Sequence, residues 1–422
     1  MPSLRRDLGL LRDRNFALLL AARTISLLGA AFGPVAIAFG VLGLPGATAA
    51  TLSAVLTAEA LPMVALMLVG GVIADRMPRH RVLAVAETCN ALAYFALGAM
   101  LLTGWAPLPA LIVASAASGI ASSLIYPAIT GIIPDVVPPE RLQPANALLG
   151  LGGNSARFAG LVLSGAAVVL LGAGWSLMAS GALFAVAGVL VALLRPGLGT
   201  HGAGSSMLAD LRAGWHEFTS RQWLWVVVLQ FSLLVMALQA AHGVLGPLVA
   251  RDELGGAPAW SAVLAGEAAG MFAGVTAAMR IRPRRPILFG NMLVLAAALP
   301  YLLLGLSAPL WTIVAGAFVL GATFEVFGVL WSTTMQREVP PEALSRVAAY
   351  DALGSLMLGP LGLVLAAPAA HLAGVKPALL GCAAVMILAT LAALLAPGVR
   401  NLRARDPELP APAAGSSAAT SA

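Results

Sequence analysis

The sequence predicts an all-α membrane protein whose twelve transmembrane helices form two pseudo-symmetric six-helix bundles. Composition is the first observation: 60% of the 422 residues are hydrophobic, 10% are charged, and the mean hydropathy is +0.93, which soluble globular domains do not reach. The second is an internal repeat, because residues 137–142 (VPPERL) return 202 residues later as 339–344 (VPPEAL), and residues 160–163 (GLVL) return in the same register as 362–365. This repeat indicates a duplicated half.

Membrane helices are predicted wherever an apolar run reaches about 20 residues, the length that crosses the hydrocarbon core of a bilayer. Short turns such as Leu44-Pro45-Gly46 separate most of the runs. The first run is too long for the core of a signal peptide, so we expect it to remain as a membrane helix. We number the twelve runs as spans 1 to 12: 15–42, 48–74, 81–103, 107–133, 146–172, 175–194, 222–250, 259–279, 286–306, 309–335, 345–371 and 375–396.

Six spans precede a Gly/Ser-rich break in the chain, and six follow it. Within the break, residues 207–221 favour a short surface helix that would turn Trp215 and Phe218 toward the lipid interface. The end of the chain is rich in Ala, Pro and Ser, which is typical of a disordered tail. The predicted segments are an N-terminal six-helix bundle (1–194), a linker (195–221), a C-terminal six-helix bundle (222–396) and a disordered tail (397–422).

Positive charges predict the orientation of the bundle. All 24 Lys and Arg residues except Arg23, Arg157, Arg251 and Lys376 lie in the terminal segments or in loops on the same side of the predicted bundle. We call this side the basic face and the opposite side the distal face. By the positive-inside rule, the basic face and both termini are cytoplasmic. Membrane topology accounts for these charges. We therefore expect the lipid bilayer as a partner, and we expect that the protein does not bind nucleic acid.

The loop after span 2 carries the most specific motif of the chain, GVIADRMPRHRVL at residues 71–83. Its charge alone would be explained by a basic turn that only fixes topology. The order of its residues, however, resembles the G-x-L-A-D-R-x-G-R-[RK]-x-x-L loop of the major facilitator superfamily. The matching positions are Gly71, Ala74, Asp75, Arg76, Arg79 and Leu83, and Pro78 stands where the family usually has Gly.

Two further segments resemble the bacterial drug and siderophore exporters of that superfamily: residues 23–29 (RTISLLG) in span 1 and residues 134–146 (PDVVPPERLQPAN) between spans 4 and 5. The resemblance implies a twelve-span, proton-coupled antiporter for efflux or multidrug resistance in the bacterial inner membrane, and we expect a monomer. It also implies that spans 1, 4, 7 and 10 line a central cavity, while spans 2, 5, 8 and 11 join the halves. Asp75 and Arg79 would belong to a cytoplasmic gate, together with Gly71, Arg76, Arg81 and Glu87.

One feature departs from this resemblance. In span 5, antiporters of the superfamily usually carry G-P-x-x-G-G, whereas this chain has GLVLSG at residues 160–165 and lacks the Pro. The equivalent part of span 11 contains Gly359-Pro360, where the Pro should bend the helix.

Ionisable side chains inside the spans are the candidates for mechanism, because a charge at bilayer depth costs roughly 2.5–3.5 kcal/mol on insertion scales. As proton-coupling groups we favour Glu325, then Glu267, then Glu59. The second half offers these carboxyls no midplane basic residue, so Glu325 and Glu267 must be protonated, face water or pair across the interface between the halves. Arg23 and Arg157 could attract an acidic cargo.

Each buried charge also has a structural interpretation. Arg23 and Arg157 could instead pair with Glu59 in a static polar core, with Asn154 one turn from Arg157. For Glu87 we favour support of the Asp75 loop over contact with a cargo.

Candidate residues for the wall of the cavity come from spans 7 and 10, where polar and aromatic side chains would suit a bulky amphipathic compound. Ordinary packing between apolar helices explains any one of them equally well. The candidates are Gln230, Phe231, Gln239, Phe324 and Trp331.

An enzymatic function is not predicted. The sequence lacks a Walker loop, and its five His are scattered without the spacing of metal ligands, so we expect no cofactor, no metal and no catalytic residue. The leading interpretation is a proton-coupled exporter of small amphipathic molecules such as a drug, siderophore or secondary metabolite. A proton-coupled importer of a small nutrient and a transport-inactive membrane sensor or assembly protein are the alternatives.

Overall fold

The structure is a computed structural model that describes residues 8–67, 69–70, 73, 77–138, 141–195, 215–278 and 280–403. Among these residues, eleven helices are long and apolar enough to cross a membrane. A shorter apolar helix, Ala49–Ala65, occupies the position of span 2. The predicted all-α, twelve-span membrane fold is confirmed in this form.

Most spans are single helices, and three are interrupted. The continuous ones are span 1 (Arg14–Leu42), span 3 (Arg79–Thr103), span 4 (Leu108–Val136), span 5 (Leu142–Leu171), span 6 (Ala173–Ala192), span 8 (Ala257–Ala278), span 10 (Leu310–Glu338) and span 12 (Val375–Leu395). The helix of span 2 (Ala49–Ala65) ends at a turn at Leu66. The interrupted ones are span 7 (Gln222–Leu238, Gln239–Leu245, Gly246–Glu253), span 9 (Pro286–Val294, Leu295–Ala298, Leu299–Gly305) and span 11 (Pro341–Leu356, Gly359–Ala373). Short helical segments Leu8–Arg12 and Pro397–Asn401 flank them.

The internal repeat of the sequence is also a repeat of backbone conformation. Spans 4 and 10 both end in an extended valine, Val137 and Val339. Spans 5 and 11 both end at a glycine with positive φ, 85° at Gly172 and 92° at Gly374. Glycine occupies this left-handed region without steric strain. The register of 202 residues therefore relates spans 4 and 5 to spans 10 and 11.

The three interruptions have distinct forms. Residues Gln239–Leu245 of span 7 form a π-helix. This conformation is rare in proteins, and where it occurs it is often at a functional site. Span 9 contains a single 3₁₀ segment, Leu295–Ala298. Span 11 breaks just before Gly359, and Pro360 lies in the first turn of its second helix, in agreement with the bend predicted from that proline.

The two halves meet through spans 2 and 11 and through spans 5 and 8. In the first contact, the Ser53 hydroxyl donates a hydrogen bond to the Leu363 carbonyl. In the second, the ring centroids of Phe158 and Phe272 lie 6.1 Å apart. These two helix pairs form the contact between the halves.

The end of the linker packs on span 11, which corrects the prediction that both its aromatic side chains face the lipid interface. Residues 215–220 are helical, and the centroids of Trp215 and Phe218 lie 5.5 and 5.9 Å from that of Tyr350. Phe218 is buried by this contact, while Trp215 remains exposed. Nearby, Arg221 donates a hydrogen bond to the Glu217 carboxylate and lowers the pKa of that carboxyl.

Candidate functional site

A cavity of about 310 Å³ opens inside the first half, between spans 1, 2, 3 and 4. Seven of its thirteen lining residues have polar or charged side chains. The polar and charged side chains that line it are Arg23, Ser26, Glu59, Asn90, Ser118 and Ser122, with the phenol of Tyr94.

Glu59 lies at the centre of a hydrogen-bond network in this cavity. Both the Tyr94 and the Ser118 hydroxyls lie 3.4 Å from Glu59 Oε1. Ser118 Oγ also lies 3.0 Å from Asn90 Oδ1, and Asn90 Nδ2 donates to Ser122 at 3.4 Å. A hydroxyl hydrogen serves one acceptor at a time. The network therefore accommodates an ionised Glu59 and also a protonated Glu59 that donates to Ser118.

Glu87 and Arg23 form a second polar cluster at the base of the cavity. Glu87 is only 2% exposed, accepts a hydrogen bond from Ser26 and lies within the electrostatic reach of Arg23. Its Oε2 atom is buried without a hydrogen-bond partner. Glu87 thus packs against span 1, and its support of the Asp75 loop stays a prediction. Asp75 itself lies outside the described residues.

Arg157 on span 5 and Glu325 on span 10 belong to opposite halves and lie within electrostatic reach of each other. Arg157 is the charged group that acts electrostatically on Glu325. Three settings were predicted for Glu325; its electrostatic partner lies across the interface, and the side chain is also partly exposed. Asn154, one turn from Arg157, is exposed, as is Arg157 itself. Glu59 is bonded to Tyr94 and Ser118, so the static pair of Arg157 with Glu59 is not the arrangement observed.

Glu267 lies beside a histidine that the sequence analysis did not single out. His242 Nδ1, on span 7, is 3.8 Å from Glu267 Oε2 and 3.0 Å from the Tyr301 hydroxyl. The carboxyl therefore has a titratable neighbour within its own half. A histidine at the depth of a membrane span was the available signal, because intramembrane ionisable residues are functional candidates.

The predicted lining residues separate into two groups. Phe231 and Phe324 are partly exposed, with ring centroids 6.0 Å apart, and Gln239 is partly exposed as well. Gln230 and Trp331 are corrections, since both are buried. Gln230 donates to Thr390 of span 12 at 3.1 Å.

Trp331 packs inside the second half. Its indole N–H donates to Asp351 Oδ2 at 3.0 Å, and its ring contacts Phe327 and Trp223 at 5.9 and 5.3 Å. The one polar side-chain atom of Trp331 is therefore satisfied within its own bundle.

Within the predicted gate motif, the structure describes Arg79, which forms an ion pair with Asp135 at the basic face. Arg79 Nη1 lies 3.3 Å from Asp135 Oδ1 and donates to the Gly131 carbonyl at 3.0 Å. Asp135 was missed as a site residue, although it stands in the 134–146 pattern. Arg81 is exposed. The predicted gate residues Gly71, Asp75 and Arg76 lie outside the described residues.

Two six-helix halves that pack through spans 2, 5, 8 and 11 and carry ionisable groups inside their spans are the architecture of a secondary transporter. The chain belongs to the Major Facilitator Superfamily, whose family model matches residues 14–354. Proteins of this family and fold are typically transporters rather than enzymes. No protein of curated function matches the sequence.

Solved structures share this fold at low sequence identity. The nucleoside transporter NupG superposes with a TM-score of 0.72 at 14% identity, over 90% of this chain and 98% of NupG. A POT family transporter in complex with 5-aminolevulinic acid gives 0.71 at 12% identity, over 90% and 95% of the two chains. A bacterial homolog of the human lysosomal transporter Spinster, inward-facing and unoccupied, gives 0.67 at 16% identity, over 92% and 97%. These superpositions establish the fold, and at such low identity they do not identify the cargo.

Proposed function

We propose that this protein exports small amphipathic molecules in exchange for protons, by alternating access of a central site to the two sides of the membrane. The observation that carries the proposal is the interaction of Glu325 with Arg157 across the two halves. An ionised Glu325 attracts Arg157, whereas a protonated Glu325 does not. A proton therefore changes the attraction between spans 5 and 10, which belong to the halves that must move relative to each other.

The chemistry of the walls supports an amphipathic cargo. The first half offers a polar cavity with hydroxyl, amide and charged groups around Glu59. The second half offers the partly exposed rings of Phe231 and Phe324, backed by the stacked ring of Phe327 at 4.7 Å from Phe231. A compound with one polar and one aromatic or apolar side fits both walls. Drugs, siderophores and secondary metabolites have this character.

The sequence supports the proposed direction of transport and the proposed location. The exporter-like segments at residues 23–29 and 134–146 support export. The arginine-rich loops support a cytoplasmic basic face with both termini inside, in the inner membrane of a bacterial cell. We propose that one chain forms the transport unit, because a single chain supplies both halves.

We expect Glu325→Gln to abolish transport driven by a pH gradient while cargo-for-cargo exchange continues. The amide keeps the size of the side chain but cannot change its charge, so the proton no longer alters the attraction to Arg157. The measurement uses proteoliposomes and an amphipathic dye or antibiotic first identified by its stabilising effect on the purified protein. Gradient-driven uptake should fall by about tenfold or more, the range of a typical coupling free energy.

Asp252→Asn is the matched control, because Asp252 is an exposed carboxyl of span 7 that pairs with Arg251. It should leave gradient-driven transport unchanged. Undiminished gradient-driven transport by Glu325→Gln would contradict the role of Glu325. In cells, higher cargo accumulation in the presence of the protein would contradict export and support import.

A further inference from the structure

The π-helix of span 7 brings a histidine into the interior of the second half. His242 is the middle residue of Gln239–Leu245. Trp260 of span 8 packs edge-on against its imidazole, with centroids 5.3 Å apart. Gly246 makes this approach possible, because a Cβ at that position would lie 2.3 Å from the Trp260 ring. The imidazole is therefore held in place by the local backbone and by a close-packed ring.

His242 Nδ1 is shared by two groups of opposite hydrogen-bonding character. The Tyr301 hydroxyl, 3.0 Å away, can donate to Nδ1 when the imidazole is neutral. Glu267 Oε2, 3.8 Å away, can accept from Nδ1 when the imidazole carries a proton. Glu267 Oε2 is buried and has no hydrogen-bond partner. The arrangement thus holds a partner for each of the two protonation states of His242.

Among the described residues of the first half, no histidine lies beside the carboxyl that is equivalent to Glu267. Gly119 and Gly321, separated by the repeat of 202 residues, approach the backbone carbonyls of Glu59 and Glu267 in the same way. Their ideal Cβ atoms would lie 2.0 Å from Glu59 O and 2.1 Å from Glu267 O. Glu59 and Glu267 are therefore structural counterparts in the two halves.

Each of these carboxyls has a tyrosine near it on another span, Tyr94 on span 3 and Tyr301 on span 9. Tyr94 reaches Glu59 directly, at 3.4 Å. In the second half, His242 stands between Tyr301 and Glu267. The imidazole is thus the feature that breaks the symmetry, and an unperturbed imidazole changes charge between about pH 5 and 8.

We infer that His242, Glu267 and Tyr301 form a proton-binding site in the second half, separate from Glu325. His242 Nδ1 takes a proton from water, the resulting imidazolium is stabilised by the Glu267 carboxylate, and the Tyr301 hydroxyl turns its hydrogen elsewhere. Loss of the proton restores the hydrogen bond from Tyr301. Proton binding here stands on geometry alone, and only its use in transport rests on the proposed function.

Other ionisable groups on the elements around the π-helix have different placements. Glu59 points to Tyr94 and Ser118. The Lys376 ammonium pairs with Glu253 at 2.9 Å, at the distal face. Cys382 lies close enough to Tyr301 to act on it electrostatically. The remaining groups are Arg23 on span 1, His371 at the distal end of span 11, and Arg251 and Asp252 at the end of span 7.

The test is histidine-selective isotope labelling and NMR of the purified full chain across about pH 5 to 8. The sequence contains five His, so the resonance that disappears in His242→Gln identifies His242. We expect this resonance to titrate, and its midpoint to move by about 1 pH unit toward lower pH in Glu267→Gln, because the imidazolium loses its counter-charge. Tyr301→Phe, which retains the ring, should move the midpoint toward higher pH because the neutral imidazole loses a donor.

His371→Gln is the matched control, since His371 is exposed at the end of span 11, and it should leave the His242 midpoint unchanged. A His242 resonance that does not titrate, or a midpoint unaffected by Glu267→Gln, would overturn the proton-binding site. Both outcomes are independent of any transport assay, and the Glu267 and Tyr301 variants keep the test available if His242→Gln folds poorly.

The consequence for transport is measured separately. In proteoliposomes, His242→Gln should remove the pH dependence of transport, whereas His371→Gln should retain it. A wild-type protein without gradient-driven transport would contradict the proposed function and leave the NMR result standing. Wild-type pH dependence in His242→Gln would overturn the use of this site in coupling, even if the NMR titration is observed.

Discussion

Gly321→Ala is expected to lower the thermal stability of the protein markedly. Spans 8 and 10 approach so closely here that the added Cβ would lie 2.1 Å from the Glu267 carbonyl oxygen and 2.9 Å from the Met271 nitrogen. Both atoms belong to the backbone of span 8, so no side-chain rotation relieves the overlap and the helices must separate. Overpacking of this kind typically costs 1–3 kcal/mol, and occasionally more. The displaced backbone carries Glu267, so we expect transport to fall as well.

Gly328→Ala is the control, because Gly328 lies in the same helix and its Cβ would meet nothing within 4 Å. This variant should melt at the wild-type temperature or slightly above it, since Ala is the better helix former by about 1 kcal/mol. The measurement is the apparent melting temperature in detergent, followed by size-exclusion chromatography. Equal melting temperatures for the two variants would show that the close approach does not constrain spans 8 and 10.

Arg23→Leu is expected to destabilise the first half through Glu87. Glu87 is 2% exposed, and its known surroundings are the Ser26 hydroxyl and the charge of Arg23. Removing the nearby opposite charge leaves this buried carboxyl less compensated, which we expect to cost about 0.5–3 kcal/mol. The substitution also removes a charged group from the wall of the cavity, because Arg23 lines it.

The double variant Arg23→Leu/Glu87→Gln separates these two effects. The amide of Gln can still bond Ser26 but carries no charge, so stability should return toward the wild-type value while the cavity still lacks Arg23. Arg81→Leu, an exposed arginine of span 3, should leave the melting temperature unchanged. A double variant as unstable as Arg23→Leu alone would place the loss in packing rather than in the charge of Glu87.

The location of the buried charges was largely predictable, and their partners were not. Hydropathy placed Glu59, Glu267 and Glu325 inside spans, because a charge interrupts an apolar run visibly. Which side chains lie beside each charge depends on the rotation of each helix and on the distance between spans that are far apart in sequence. Arg157 and Glu325, for example, are 168 positions apart and come from different halves.

The errors have the same origin. Gln230 and Trp331 lie on spans that were expected to line the cavity, yet both are buried in their own bundle, where Gln230 Nε2 donates to Thr390 and the Trp331 indole N–H donates to Asp351. His242 was overlooked because only the π-helix and the packing of Trp260 bring it between Glu267 and Tyr301. A helix assumed to be regular assigns a different face to the residues that follow an inserted π-turn.

The sequence by itself determined the fold class and its symmetry. Backbone groups must be satisfied inside a bilayer, so long apolar runs can form only helices there, and the VPPE turns at residues 137–140 and 339–342 mark the duplicated register. Only the tertiary structure decided which ionisable groups lie near each other: Glu325 with Arg157, Glu87 with Arg23, and Glu267 with His242. The physical reason is that helix formation depends on local hydrogen bonds and hydropathy, whereas the chemistry of a site depends on side-chain distances of a few ångströms, which packing between distant segments sets.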